Sequence, residues 1–285
     1  VFVNLPPADL RWYLFGSNQF GGGVSNAHNG VMAYEHAYQG VEARKAYFFM
    51  GDAMVCMGSG IKAARTQEVR TSVNQCLANG EVTYGLSGHT YRLTNNLSDK
   101  NIDWAYHDNV GYIFPQNESV TLRKAKQTGA WRELEVTASD KPVTKEIFSL
   151  WVSHGTTPQH EDYCYIIMPD KPLSYFTDKK FENEIKIIVN SEQIQAISNE
   201  NKRQYAAVFY EPGEIRFAED LVVAVNKKVI IYIEKKDKQY EIAVADPLYK
   251  EQSLQLSMNG EQINIVFPSG DYSGSSVIKH ITEKH

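Results

Sequence analysis

The sequence has few cysteines, no excess of positive charge and no long apolar run. It contains three cysteines, Cys56, Cys76 and Cys164, and 29 Lys and Arg against 34 Asp and Glu. Three thiols form at most one disulfide, which excludes a disulfide framework and leaves the redox compartment open, and their spacing fits no metal site. The net charge of −5 argues against nucleic acid as a partner, because nucleic-acid binding requires concentrated Lys and Arg. No run is long and apolar enough to predict a membrane span.

What remains is the composition of a β-rich globular chain. The 285 residues include 17 Tyr and 12 Phe, and hydrophobic residues make up 42%. Aromatic and β-branched side chains favour strands. The length is sufficient for one large or two ordinary domains with a sizeable core.

The stretch 45–61, KAYFFMGDAMVCMGSGI, distinguishes two classes of protein. Its glycines could form a phosphate-binding loop, which would indicate a nucleotide enzyme. Such a loop requires the pattern G-x-x-x-x-G-K between a strand and a helix, and the pattern is missing here. KAYFFM and AMVCM each have the length of a strand, and Gly51-Asp52 suits a two-residue type II′ turn. The stretch therefore predicts a β-hairpin.

Further short strands, separated by turn residues, continue to about residue 170. Their regular spacing is typical of an all-β sandwich or barrel. The predicted strands are TSVNQC (71–76), EVTYGL (81–86), HTYRLT (89–94), VGYIFP (110–115), SVTLRK (119–124), IFSLWVSHG (147–155) and YCYIIMP (163–169).

The segment 33–46, AYEHAYQGVEARKA, is ambiguous. Its Ala, Glu, Arg and Lys residues suit a helix. Tyr34, His36 and Tyr38, however, alternate with smaller residues, as they would on a half-buried strand. We expect a strand followed by a loop.

A polar, proline-containing stretch near 169–185 separates this region from a second β-rich region. We therefore expect two domains, residues 1–172 and 173–285, with the junction in this stretch. The turns KKDKQ (235–239) and NGEQ (259–262) predict antiparallel hairpins in the second domain. Its predicted strands are EIKIIVNS (184–191), IQAIS (194–198), YAAVFY (205–210), LVVAV (221–225), VIIYIEK (229–235), YEIAVADP (240–247), LQLSM (254–258) and INIVFP (263–268).

The segment 15–30, FGSNQFGGGVSNAHNG, has the most unusual composition. One interpretation is a long glycine-rich loop ahead of the first strand. The other is a loop that borders a carbohydrate cleft, where amides bind hydroxyl groups and glycines permit close backbone approach. Elsewhere the histidines are dispersed and form no metal-binding motif. His107-Asp108 is most simply a pair of ordinary polar loop residues.

Several motifs, in order, resemble the β-sandwich half of polysaccharide lyase family 8, which includes chondroitin AC, hyaluronate and xanthan lyases. These motifs are GGVSNAHNGVMAY (22–34), ARKAYFFMGDAMVCMGSGI (43–61), TSVNQ (71–75), HDNVGYIFP (107–115), LWVSHGTTP (150–158) and YCYIIMP (163–169). The resemblance implies an all-β fold in which a large antiparallel, supersandwich-like β-sandwich is followed by a smaller C-terminal antiparallel β-sandwich.

The resemblance also implies cleavage of uronic-acid polysaccharides, of chondroitin or hyaluronan type, by β-elimination. In the family, the catalytic Asn, His, Tyr and Arg belong to an N-terminal α/α toroid. No residue of this sequence matches them, so we expect no catalytic residue here. The implied partners are an acidic polysaccharide and the toroid of the same polypeptide, in a secreted or periplasmic bacterial protein.

Some relatives hold calcium through acidic residues near the glycine-rich loop. This sequence has Leu14, Gln19 and Asn26 in the corresponding stretch. Because calcium prefers charged oxygen ligands, we expect this metal site to be lost and no cofactor to be needed. Any substrate contact is expected on the loop, at Asn18, Gln19, Asn26 and His28.

Three functional hypotheses remain open. The chain is the non-catalytic C-terminal part of a lyase, a complete carbohydrate-binding module without enzymatic activity, or a structural sandwich. A start at Val1 rather than Met, followed by a proline-containing stretch without a strand pattern, favours the lyase fragment. The widely spaced tryptophans, Trp12, Trp104, Trp131 and Trp151, disfavour an aromatic binding platform.

Overall fold

A computed structural model describes residues 19–64 and 66–283 of the chain. Within these residues, 23 strands form four antiparallel sheets, which we name A to D, and the only α-helix is α1 (Leu173–Thr177). Two short 3-10 helices span Trp131–Glu133 and Gly270–Tyr272. The predicted all-β class, with a large sandwich followed by a smaller one, is therefore confirmed.

Sheets A and B form the first sandwich. In the described part of the chain, sheet A has nine strands in the order β1-β2-β3-β4-β13-β10-β9-β6-β7, and sheet B has four in the order β5-β12-β11-β8. The strands are β1 (Gly21–Ser25), β2 (Gly30–Tyr38), β3 (Val41–Met50), β4 (Ala53–Ala63), β5 (Arg70–Leu77), β6 (Val82–Leu86), β7 (His89–Arg92), β8 (Leu97–Asp99), β9 (Ile102–His107), β10 (Val110–Ile113), β11 (Val120–Gly129), β12 (Val143–Ser153) and β13 (Gln159–Pro169).

Sheets C and D form the second sandwich. Over the described residues, sheet C has six strands in the order β14-β15-β16-β19-β20-β23, and sheet D has four in the order β17-β18-β21-β22. The strands are β14 (Lys186–Asn190), β15 (Ile194–Asn199), β16 (Gln204–Phe209), β17 (Gly213–Ala218), β18 (Leu221–Val225), β19 (Val229–Lys236), β20 (Gln239–Ala245), β21 (Ser253–Met258), β22 (Glu261–Val266) and β23 (Val277–Thr282).

The sheets stack in the order B, A, C, D, with an apolar core between each neighbouring pair. Strand β16 shows why sheet C lies inside the stack. Ala206 and Val208 face sheet A, whereas Ala207 and Phe209 face sheet D, and all four are fully buried. A strand that is buried on both faces carries a continuous apolar run rather than an alternating one. The run YAAVFY therefore places this strand between two layers.

The predicted hairpin of the stretch 45–61 is confirmed. Strands β3 and β4 pair from Met50 and Ala53 outwards across the turn at Gly51-Asp52. Gly51 has a φ of 60°, which the first central position of a type II′ turn requires. The predicted turns at 235–239 and 259–262 likewise join β19 to β20 and β21 to β22.

Two predictions about loops were wrong. The segment 15–30 contains strand β1, because the triple glycine pairs with β2 and Gly21 N donates to the carbonyl of Pro247 in the second sandwich. In the segment 33–46, the predicted strand is present as the end of β2, but instead of the predicted loop a turn at Gln39-Gly40 leads directly into β3, which begins at Val41. Both strands form hairpins with β2, but the glycines of β1 and the helix-favouring Glu, Ala, Arg and Lys residues of β3 have low strand propensity, so their composition does not indicate a strand. Strands β8, β9, β17 and β23 were not predicted either.

Helix α1 lies in the segment between the two sandwiches and contributes one large side chain to their shared core. Phe176 is fully buried, and its ring lies over Gly111 of β10. A Cβ at Gly111 would come within 1.9 Å of that ring, so only glycine leaves it enough room. The domain boundary at residue 172 stays a prediction.

Candidate functional site

In the glycine-rich segment, the side chain of Asn26 makes a hydrogen-bonded contact between the two sandwiches. Its side-chain amide donates to the carboxylates of Glu234 (3.1 Å) and Glu241 (2.9 Å), which face each other on β19 and β20. Its side-chain oxygen accepts the backbone N–H groups of His28 and Asn29. Asn26 is 7% exposed, so these contacts occupy its amide.

Of the other loop residues that were expected to contact substrate, His28 is joined to Asn26 through its backbone N–H group. Gln19 and His28 are exposed. Asn18 lies outside the described residues. The substrate role of these four residues stays a prediction, and the structure gives Asn26 an interdomain contact in addition.

The described residues of this segment, 19–30, do not fit a calcium ion. Leu14 lies outside the described residues, and the side-chain oxygen of Asn26 already accepts two backbone N–H groups. Among residues 19–64 and 66–283, no group of three or more His, Cys, Asp or Glu side chains could hold a metal. We therefore assign no metal-dependent step to this segment.

A different surface presents side chains on the face of sheet A that points toward sheet B. Because sheet A is wider than sheet B, the ends of β2 and β3 extend beyond the covering layer, and Met32 and Phe49 remain 47% and 42% exposed. Cross-strand partners place the neighbouring side chains on the same face. We call this surface the open face, and it consists of Met32, Tyr34, His36, Tyr38, Lys45, Tyr47 and Phe49.

The open face carries stacked aromatic rings near the edge of the sheet. The rings of Tyr34 and Tyr47 are stacked, with centroids 6.4 Å apart and planes at 14°. Gly21 and Gly23 of β1 pair with Tyr34 and Met32 and add no side chain beside them. Burial, followed by the charge of Tyr34 and a hydrogen bond with it, raises the pKa of Tyr47. An aromatic surface without obstruction suits the apolar faces of sugar rings.

At one end of the open face lies a cavity of about 600 Å³. Strands β2, β3 and β4 line one side, and the segment leading into β5, together with the end of β12, lines the other. Its polar wall includes His36, Lys45, Glu68, Thr71 and His154. This volume lies within the usual range for small-molecule sites.

Three titratable groups in this cavity have lowered pKa values. Burial lowers the pKa of Lys45. Burial and the charge of Lys45 lower the pKa of His36 in the same way. Burial, and then Lys45, lowers the pKa of His154 to about 4, against a smaller opposing effect from Glu68. Both imidazoles are therefore neutral at neutral pH and act as hydrogen-bonding groups rather than cations.

Local packing holds these groups in place. A Cβ at Gly58 would lie 2.1 Å from the ring of Tyr163, so the missing side chain lets this ring lie against β4 beside Lys45. The imidazole of His154 packs against Tyr163, with centroids 5.9 Å apart. Its Nε2 is 2.8 Å from the hydroxyl oxygen of Thr71. The wall around Lys45 is therefore ordered by contacts within the protein.

The side chain of His107 is buried in the first sandwich and hydrogen-bonded to the backbone. It is 1% exposed at the end of β9, its ring packs 4.5 Å from that of Phe148, and its Nε2 accepts the N–H of Asn79 (3.0 Å). Burial lowers its pKa. Cys56, Cys76 and Cys164 are free thiols.

Sequence reasoning missed the cavity residues Lys45 and His154. Two local signals pointed toward them. The alternation of Tyr34, His36 and Tyr38 marked a half-buried face, and Lys45 opens the otherwise apolar run KAYFFM. Neither signal shows that His154, more than a hundred residues further along, lies against the same space.

Two family models match the chain. "Polysaccharide lyase family 8, super-sandwich domain" matches residues 5–180, which is more than half of the chain, and "Polysaccharide lyase family 8, C-terminal beta-sandwich domain" matches residues 186–255. The chain therefore belongs to polysaccharide lyase family 8.

Individual relatives agree with this assignment. Chondroitinase-AC of Pedobacter heparinus is 31% identical over 282 residues, which cover 95% of this chain and 39% of that enzyme. A hyaluronate lyase of Thermasporomyces composti is 24% identical over 245 residues, which cover 83% of this chain and 30% of the enzyme. A solved chondroitinase AC lyase superimposes with a TM-score of 0.86 at 29% identity, over 93% of this chain and 40% of the enzyme.

The chain thus spans about two fifths of the length of its chondroitinase AC relative. None of the helices in the described part of the chain is long and apolar enough to cross a membrane.

Proposed function

We propose that the chain is the C-terminal supporting part of a polysaccharide lyase and forms one wall of its substrate cleft. The substrate is a glycosaminoglycan that contains uronic acid, of chondroitin or hyaluronan type. The observation that carries this proposal is the match of both sandwiches, in order, to the two domain models of polysaccharide lyase family 8.

The open face supports the role of a cleft wall. It combines stacked tyrosines with a lysine on a sheet whose other face is covered by the second sandwich. Aromatic rings offer apolar contact to sugar rings, and a cation offers attraction to uronate carboxylates. The net charge of −5 makes such a local cation more important for holding a polyanion.

The reaction that we propose for the whole enzyme is β-elimination. A base removes the proton from the carbon α to the uronate carboxyl, and the released electron pair forms a carbon–carbon double bond. The bond to the glycosidic oxygen breaks, and this oxygen leaves after it receives a proton. We assign the base and the acid to an α/α toroid of the same polypeptide and not to this chain. Such an enzyme would act outside the cytoplasm, in a secreted or periplasmic location, where its polymeric substrate is accessible.

The test compares this chain with a longer polypeptide from the same gene that includes the proposed toroid. Each is mixed with chondroitin sulfate and with hyaluronan, and ultraviolet absorbance follows the unsaturated uronate product. We expect a flat trace from the chain alone and a rising trace from the longer polypeptide.

Two outcomes would overturn the proposal. A rising trace from the chain alone would place the catalytic groups within these residues. The alternative function, a carbohydrate-binding module without catalysis, would be supported if the longest natural polypeptide bound the polysaccharide but produced no unsaturated product.

A further inference from the structure

The lysine in the cavity has no counter-ion among the described residues. Lys45 is partly buried, and it forms neither an ion pair nor a hydrogen bond with residues 19–64 or 66–283. The carboxylates on β2, on β3 and on the segment before β5 are each engaged by another cation: Glu35 by Arg44 (3.5 Å), Glu42 by Lys62 (2.8 Å) and Glu68 by Arg70 (2.6 Å). Among the described residues, Lys45 is therefore a charge without an ion-pair partner.

The apolar walls of the cavity increase the free-energy cost of leaving the Lys45 ammonium group without a counter-ion. Val41, Ala43 and Ile61 line it beside the lysine and offer no hydrogen bond through their side chains. An ammonium group that is removed from water without a counter-ion loses much of its hydration energy. A ligand anion would restore that energy. The two neighbouring imidazoles, which belong to His36 and His154, add hydrogen-bonding capacity around the same space.

We propose that this cavity is a binding site for an anionic group of an acidic saccharide, a carboxylate or a sulfate, with the Lys45 ammonium group as its main partner. The inference deepens the proposed function and rests on it for the choice of a saccharide. The cavity's polar wall also offers hydroxyl and amide groups, from Thr71, Gln39 and Gln67, for sugar hydroxyls.

The position of the cavity supports a saccharide rather than a free ion. Lys45 pairs directly across the sheet with Tyr34, which stacks on Tyr47 of the open face. An anionic sugar unit in the cavity would therefore continue into a chain lying on the tyrosines. A volume of about 600 Å³ also exceeds what one small anion needs.

The first experiment measures binding by calorimetry with defined tetrasaccharides. The probes are a chondroitin sulfate tetrasaccharide, a hyaluronan tetrasaccharide that carries carboxylates only, and a neutral chitin tetrasaccharide. Sodium sulfate and sodium acetate serve as free-anion probes. The variant is Lys45→Met, which keeps the length of the side chain and removes its charge. The matched control is Lys126→Met, an exposed lysine on β11 with the same change in charge.

We expect the acidic tetrasaccharides to bind and Lys45→Met to weaken them by about tenfold or more, as the loss of a charge-assisted hydrogen bond predicts. Lys126→Met should bind like the parent, and the neutral tetrasaccharide should not bind. Equal affinity for acidic tetrasaccharides in the parent and in Lys45→Met would overturn the site. Binding of free sulfate or acetate as tight as that of the tetrasaccharides would overturn the saccharide as its ligand.

A second measurement on the unmodified chain keeps the proposal testable if Lys45→Met does not fold. Lysines are labelled with an acylating reagent in the presence and absence of the acidic tetrasaccharide, and mass spectrometry quantifies each site. We expect the ligand to protect Lys45 and not Lys126. Unchanged labelling of Lys45 at a saturating concentration of ligand would overturn the proposal.

The two proposals fail in distinguishable ways. If the longer polypeptide produces no unsaturated product while Lys45 is still protected by acidic tetrasaccharides, the lyase assignment fails and the site remains. If the longer polypeptide is active while Lys45→Met changes neither tetrasaccharide affinity nor labelling, only the site is overturned.

Discussion

The two sandwiches differ in how completely their layers cover each other. In the described residues, sheet A has nine strands against four in sheet B, whereas sheet C has six against four in sheet D. Sheet C is also covered on its second face by sheet A. The surplus strands of sheet A carry the open face and the cavity. The candidate binding surface therefore lies where sheet A extends beyond the strands of sheet B.

The two sandwiches also differ in how completely the oxygens of a buried carboxylate are hydrogen-bonded. In the second sandwich, Asp246 is 2% exposed and accepts backbone N–H groups of Leu248, Lys250 and Glu251 at 2.7–2.8 Å. In the first, Glu118 is 8% exposed. One of its oxygens accepts the N–H of Cys164 (2.9 Å), and the other has no partner among the described residues.

The contact of Glu118 follows from the unequal lengths of neighbouring strands. Strand β10 pairs with β13 only from Ile166 onwards, so the N–H of Cys164 lies beyond its end. The Glu118 carboxylate takes the place of the missing strand. Burial raises the pKa of Glu118 to about 7, although the hydrogen bond from the backbone of Cys164 acts in the opposite direction. The second sandwich thus satisfies its buried acid fully, and the first does so only in part.

The largest expected loss of stability comes from a substitution in the core that the two sandwiches share. Replacing Phe176 by Ala should cost about 3–5 kcal/mol of unfolding free energy, since a fully buried ring is lost and a cavity is left. We also expect the two sandwiches of this variant to unfold in separate transitions, because the shared core couples them. Chemical denaturation would measure both effects if circular dichroism follows the whole chain and tryptophan fluorescence follows the first sandwich, which contains Trp104, Trp131 and Trp151.

The control for this change is Phe49→Ala on the open face, where the ring is 42% exposed. It should cost much less, about 0.5–1 kcal/mol, because less apolar area is buried. Equal losses from the two substitutions would contradict the distinction between the covered core and the open face.

The second largest expected effect is the pH dependence that Glu118 gives to the free energy of unfolding. Its pKa is raised above the ordinary value of 4.5, so its stabilising contribution is full below that pH and declines as the pH rises through about 7. Glu118→Gln cannot ionise. Relative to the parent, it should gain about 2 kcal/mol of stability on going from near pH 5 to near pH 8. Urea denaturation at both pH values would measure this gain.

The exposed acid Glu214 of β17 provides the comparison in the second sandwich. Glu214→Gln should shift stability by a similar small amount at both pH values. If Glu118→Gln tracked Glu214→Gln at every pH, the carboxylate of Glu118 would have to be solvated and the contrast between the sandwiches would fail.

The smallest expected effect tests the contact made by Asn26. Asn26→Ala removes the two hydrogen bonds to Glu234 and Glu241, which are left with Lys236 as an ion-pair partner. It also removes the two hydrogen bonds that the side-chain oxygen accepts from the backbone of the loop. We expect a loss of about 1–2 kcal/mol. The matched change His28→Ala, in the same loop, should alter stability by less than about 0.5 kcal/mol.

These two loop variants also separate the structural role of the segment from a binding role. Suppose that Asn26→Ala leaves the melting temperature unchanged and weakens binding of an acidic tetrasaccharide. The loop then contacts the saccharide, and its hydrogen bonds to the second sandwich contribute little to stability.

Much of the fold could be predicted from local patterns. The turn at Gly51-Asp52 identified a hairpin because glycine readily adopts the positive φ of its first position. The run YAAVFY identified a strand because its β-branched and aromatic residues suit the extended backbone. Such signals lie within a few residues of each other, so the sequence alone contains them.

The candidate site could not be predicted in this way. Asn26 was proposed from amide chemistry, but the two carboxylates that its amide contacts are more than two hundred residues away along the chain. The cavity combines side chains from near residues 36, 45, 70 and 154, which no local pattern brings together. Whether Lys45 has a counter-ion depends on which carboxylates other cations engage, and that is a property of the packed sheet.

By itself, the sequence determined the all-β class, most strand positions and the likeness to polysaccharide lyase family 8, because turn residues and side-chain alternation act locally. Only the tertiary structure decided that the triple glycine forms a strand, that Asn26 joins the two sandwiches and that Lys45 faces a cavity without a counter-ion from residues 19–64 or 66–283. These outcomes depend on which strands become neighbours. That choice is set by the burial of whole sheet faces rather than by any single segment.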